Sequence, residues 1–218
     1  MKHRALVVLL ALLPAAQVLA NDALLDEALA RPGQPKGAVS GFIVNTNTLT
    51  GGSEPEVEHE TIDLSKKPDE GYGSYDQLKD VIGTKAERVA TTDGRMLYKF
   101  RTHRVPSGKS TPKGVKIDDS DDFDFDGTAE VLRDAQQRPY VGQIKLHMRH
   151  ASGPLIGRLK TMDLAFGYAP STDGAVMHAV NIWADVTVRA LFFIHREFTL
   201  DSRWSPTNTA IAEASAKE

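Results

Sequence analysis

The sequence predicts a mainly β protein: one strongly curved antiparallel sheet, half-barrel or barrel-like, of about six to eight strands, with one or two short helices packed on it. Three observations carry this. After Asp93-Gly94 the chain becomes a series of segments that alternate apolar and polar residues, separated by turn chemistry. Between Ala175 and Leu200, the residues Val176, Val180, Ile182, Ala184, Val186, Val188, Ala190, Phe192 and Ile194 all fall on even positions. That face is continuously apolar and too β-branched for a helix. Helical spacing is confined to two short stretches in the N-terminal half.

In chain order, Lys2, His3 and Arg4 precede an apolar run from Ala5 to Leu13, then Pro14 and a close of small or short-branched residues at Ala20. This is the order of a cleavable secretory signal over residues 1–20, and it predicts a periplasmic or secreted protein. The run is too short to span a bilayer, which needs roughly twenty apolar residues, so no transmembrane segment is expected in the mature chain. Residues 21–204 read as a single β-rich domain and 205–218 as a small, polar, flexible tail.

Within the domain, Leu24, Leu25, Ala28 and Leu29 have helical spacing, closed by Pro32-Gly33. Ser40 to Thr50 reads as a strand ended by Gly51-Gly52. Glu54 to Glu70 carries Glu54, Glu56, Glu58, Glu60, Asp63, Asp69 and Glu70 against Lys66 and Lys67, with few apolar anchors, and reads as a solvated connection. Ser74 to Glu87 puts Tyr75, Leu78, Val81 and Ile82 on one helical face, with Ser74 as N-cap. Strands are expected at 95–105, 121–134, 140–150 and 159–168, with a long loop at 106–120. The stretch 175–200 exceeds any ordinary strand, so it must bend, bulge or be two strands.

Composition removes several function classes. The chain has no cysteine, hence no disulfide, thiolate metal site, cysteine nucleophile or lipidated cysteine. Its 26 Lys+Arg against 29 Asp+Glu give a net charge of −3, and loss of Lys2 and Arg4 with the leader makes it more acidic, which disfavours nucleic acid as a partner. Gly108-Lys109-Ser110 lacks the upstream glycine of a phosphate loop, and no G-x-S-x-G elbow occurs.

Two candidate sites remain. Asp118 to Gly127 packs six aspartates into ten residues, and Asp122, Asp124, Asp126 and Gly127 match the opening of a calcium loop. Calcium is therefore a candidate cofactor, although Arg133 stands where the bidentate glutamate belongs. The alternative is a strand whose outward aspartates pair across a hairpin with Lys99, Arg101 and His103. The second candidate is an apolar cavity under the sheet, lined by Phe123, Phe125, Ile182, Val186, Phe192 and Ile194. His178 supplies its polar point, and Trp183, on the opposite parity, lies outside it.

These features predict an exported binding or carrier protein for an apolar or amphipathic ligand such as a lipid. Two alternatives stand beside it: an envelope partner-binding or structural protein without a ligand cavity, and a hydrolase or divalent-cation-dependent domain.

Overall fold

The computed structural model describes residues 22–35, 38–89, 95–106, 123–153, 157–190 and 194–206. The expected leader, most of the 106–120 loop, Asp122, Phe192 and the tail beyond residue 206 lie outside them. The described chain forms helix α1 (Ala23–Leu29), strands β1 (Phe42–Thr50) and β2 (Glu56–Asp63), and a 3-10 turn (Tyr75–Gln77) that runs into helix α2 (Leu78–Ile82). Strands β3 (Glu87–Val89), β4 (Met96–Thr102), β5 (Phe125–Arg133), β6 (Pro139–Met148), β7 (Gly157–Pro170), β8 (Met177–Ala190) and β9 (Ile194–Ser205) follow.

All nine strands belong to one antiparallel sheet in the order β2-β1-β9-β8-β7-β6-β5-β4-β3, with β2 and β3 as its edges. The sheet is not closed into a barrel. Most neighbours in the sheet are neighbours in sequence. The exception is β1, which inserts its hairpin with β2 beside β9. The long C-terminal stretch is two strands, β8 and β9, paired from Ala190↔Ile194 to Asn181↔Arg203.

Alternation gives the central strands one dry side and one wet side. Tyr98, Phe100, Phe125, Ala129, Val131, Ile144, Leu146, Met162, Leu164, Phe166, Ile182, Ala184 and Val186 form the dry side, all buried. Leu25, Ala28 and Leu29 of α1 and Leu78, Val81 and Ile82 of α2 cover it. Asp22 caps α1 by accepting from the Leu24 amide at 3.0 Å. Gly83, at φ +68°, ends α2 in a conformation that a side chain resists.

Tyr75 fastens the helical layer to the sheet. Its hydroxyl donates to the Ala28 carbonyl at 3.0 Å and accepts from the Val141 amide at 2.6 Å. Its ring meets Tyr168 edge-on, with centroids 5.3 Å apart. One side chain thus joins α1, β6 and β7. A second clamp is ionic. Asp134, in the β5–β6 turn, accepts from Arg31 Nη1 at 3.1 Å and Arg138 Nε at 2.9 Å, and both arginines donate on to the Gly174 carbonyl of the β7–β8 turn. Burial works against the Asp134 charge, but the Arg138 amide and the two guanidinium groups outweigh it and hold the carboxyl below its usual value.

Two expectations change. Residues 56–63 are an edge strand rather than a solvated connection: β1 supplies the whole ladder, Phe42↔Asp63 through Leu49↔Glu56. Being exposed on both sides except at Ile62, the strand shows no apolar alternation, and its glutamates are what an open edge carries against mispairing. The helix expected over 74–87 is shorter. Ser74 does cap, but it caps the 3-10 turn, and Gly83 releases the chain so that Glu87 starts β3.

Tyr75→Phe keeps the ring and removes both hydrogen bonds, so the buried Val141 amide loses this acceptor and the Ala28 carbonyl keeps only the Arg31 amide. Urea unfolding should show a loss of about 1–3 kcal/mol with unchanged m. A loss within error would mean that the ring alone fastens the helical layer.

Candidate functional site

On the wet side the register aligns side chains in rows across the sheet. One row runs Glu87↔Lys99↔Thr128↔Lys145↔Ala165↔Trp183 from β3 to β8. The next runs Arg101↔Asp126↔His147↔Asp163↔Asp185. The first row and the second as far as Asp163, with Gln143 and Asn181 from a third, line an open groove of about 1240 Å³. Ala165 and Thr128 keep the floor low, while Lys99 and Lys145 rise on one side and Trp183 on the other. Adjacent strands are about 4.8 Å apart, so the two lysines and the indole recur at every second strand, about 10 Å apart.

The second row holds its own contacts. Arg101 Nε reaches Asp126 at 3.2 Å, Arg149 Nε reaches it at 3.4 Å, and His147 Nδ1 meets Asp163 at 2.7 Å. Because an ionised carboxylate only accepts, Nδ1 of His147 donates in that bond. Lys99 and Lys145, by contrast, have no ion pair among the described residues. Trp183 is 42% exposed, unusual for a large ring set among charged and polar neighbours. Cations without an ion pair among the described residues, facing an exposed indole across small side chains, can hold a negative group at one end of a ligand and a flat apolar surface at the other.

The residues singled out from the sequence are placed elsewhere. Phe125, Ile182 and Val186 are 2% exposed or less and packed in the core beneath the helices, and Phe123 lies beside Phe125 with ring centroids 6.3 Å apart. Ile194 is half-buried. None of them lines the groove. The apolar face proved to be core, and the opening is on the other side of the sheet.

His178 corrects the parity argument. Gly167 pairs with Asn181 but Tyr168 pairs with Ala179, so Val180 is an extra residue in β8. The buried phase therefore passes from Ile182 to Ala179 and Met177, and His178 falls off it. The residue is buried all the same, edge-on against Trp204 with centroids 4.7 Å apart. Its Nδ1 has no hydrogen-bond partner among the described residues. Burial pushes its pKa below the ordinary 6.5.

Asp124 and Asp126 adopt the pairing alternative. His103 Nδ1 stands 3.1 Å from Asp124, and Arg101 and Arg149 hold Asp126. The backbone from Phe125 to Arg133 is extended, so alternate carboxylates run along one side instead of converging on an ion. No cluster of three His, Asp or Glu suited to a metal occurs among the described residues. Gly127 has a packing reason to be glycine: the Phe100 ring, from the neighbouring strand, occupies the place of a Cβ. Sequence reasoning missed Lys99 and Lys145 as groove-lining groups and excluded Trp183. The signal that would have found Trp183 is an indole on the polar phase of an otherwise β-branched strand.

No protein-family model, no curated protein and no solved structure matches the chain.

Gly127→Ala should cost about 1–3 kcal/mol by displacing Phe100, read by chemical unfolding, and added calcium should not recover it. The depressed His178 pKa means that the unfolded chain binds the extra proton first. Its contribution is therefore present above pH 6.5 and lost as pH falls through that value. Stability compared at pH 5.5 and 7.5 should drop more in the parent than in His178→Gln. Equal slopes would show that the imidazole titrates as in water.

Proposed function

We propose that the chain is an exported binding protein whose wet-side groove takes an amphipathic anion, a molecule with a carboxylate or comparable group and one flat apolar face. The observation that carries this is the single row joining Lys99 and Lys145, which have no ion pair among the described residues, to the exposed Trp183 over a floor of Thr128 and Ala165. Lysines fix the anion, the indole takes the flat face, and the Gln143 and Asn181 amides with Thr128 orient polar substituents between them. The carboxylates Asp126 and Asp163 share the groove, which disfavours multiply charged phosphates and favours ligands of one negative charge per ring. The basic, apolar and small-residue order of residues 1–20 supports export, and the groove then faces ligands outside the cytoplasm.

The sequence contains two tryptophans, Trp183 and Trp204. In a Trp204→Phe background, titration with glucuronate oligosaccharides and with naphthoate should change the fluorescence of Trp183. Trp183→Ala, and separately Lys99→Glu with Lys145→Glu, should weaken binding roughly tenfold or more by calorimetry. Binding of the neutral glucose oligosaccharides with equal strength, or indifference to the lysine changes, would rule the reading out.

A further inference from the structure

The groove has a repeat, set by the strands that cross it. On β4 and β6 the first row carries an exposed lysine, Lys99 and Lys145, and Arg101 stands beside Lys99. On β5 and β7 the first row is short, Thr128 and Ala165, and the second carries a carboxylate, Asp126 and Asp163. Ammonium groups thus recur at every second strand, about 10 Å apart, with carboxylates on the strands between. The first row reaches the Trp183 indole on β8, four strand spacings or about 19 Å from Lys99. The groove's volume of about 1240 Å³ exceeds the roughly 300–1,000 Å³ of a pocket for one small molecule.

The lining also selects against a ligand that is apolar on every side. Trp183 offers one flat surface in an open groove. Gln143 and Asn181 flank the row on one side, and Arg101, Asp126, His147 and Asp163 on the other. Asn181 lies across β7, its Oδ1 in the place that a Cβ on Gly167 would take. An acyl chain or a fused aromatic system laid along the row would cover these groups without bonding to them, which opposes binding. A pyranose ring suits them. Its axial C–H groups make one apolar face for the indole, and its hydroxyls point outward to both flanks.

Resting on the amphipathic-anion reading, we propose that the groove binds a linear β-1,4-linked uronic-acid chain, laid across β4 to β8 with one ring over each strand. In such a flat chain each ring advances by about one strand spacing and is turned over relative to its neighbour, so carboxylates leave from alternate edges. The rings over β4 and β6 present theirs to Lys99 with Arg101 and to Lys145. The rings over β5 and β7 turn a hydroxyl edge to Asp126 and Asp163, whose carboxylates have lone pairs beyond those in their ion pairs. The ring over β8 lies on the indole. The row from Lys99 to Trp183 therefore takes a pentamer.

The test is calorimetry of the full chain with β-1,4-linked glucuronate oligomers, from monomer to heptamer. Affinity should rise roughly tenfold or more from trimer to pentamer and change less than about twofold from pentamer to heptamer. Lys99→Gln should bring the pentamer down to about the affinity that the parent has for the trimer. An α-1,4-linked galacturonate pentamer has the same charge without the flat ribbon, and should bind roughly tenfold more weakly. Naphthoate, which probes the amphipathic-anion reading alone, should bind about as weakly as the monomer. Any of four results overturns the chain proposal and leaves that reading standing: affinity that does not grow with length, a pentamer indifferent to Lys99→Gln, equal affinity for the two pentamers, or naphthoate bound through Lys145 and Trp183 while no uronate binds. Failure of naphthoate and of every uronate to bind overturns both.

Discussion

The central strands of this protein serve two environments at once, and the architecture follows from that constraint. A pleated backbone sends successive side chains to opposite sides, so a sheet with one dry face must keep all nine strands in phase. Where the sequence slips by one residue, the sheet absorbs the slip locally. Glu130 pairs with Gln143 and Val131 with Val141, which leaves Gly142 as an extra residue and returns Val141 to the core. The same device at Gly167 and Tyr168 sets Val180 aside and keeps Ala179 and Met177 buried.

A dry face needs a cover, and two short helices supply it for the centre of the sheet. Neither is long enough to be stable alone. Tyr75 bonds to both the α1 backbone and β6, and the Asp134 cluster ties the C-terminal end of α1 to two turns through Arg31. Among the described residues both helices pack on the apolar side, and the groove opens on the other. The groove, with Asp163 at its margin, and the carboxylates Asp185 and Glu197 beyond it are successive zones of that face. Burial, with Glu197 and Asp163 next to it, lifts the Asp185 carboxyl above its ordinary value. The wet side is thus electrostatically divided rather than uniformly solvated.

Legibility in the sequence followed the strength of the phase. The segments from Met96 onward, with apolar residues on every second position, appeared as strands with nearly their observed limits. The pairing of Arg101 with Asp126 and of His103 with Asp124 was also readable, because alternation put cations and carboxylates on the same side of consecutive strands. Strand β2 was invisible because an edge strand exposed on both sides has no phase to detect. The end of the second helix was misplaced because apolar residues at helical spacing do not report where a left-handed glycine stops the turn. For the site, the apolar face was taken as a lining when it was core, and Trp183 was set aside by the very parity that put it in the groove.

The sequence by itself determined the class of fold, the burial phase of the C-terminal strands and the absence of every cysteine-dependent chemistry, since alternation and composition are local properties of the chain. Tertiary structure alone decided which face would be covered, where the phase would slip, and which wet-side residues would become neighbours. Lys99, Lys145 and Trp183 are remote in sequence and lie on one row only because strand order and register put them there. Hydrogen bonds between strands set that registry, and no single strand contains it.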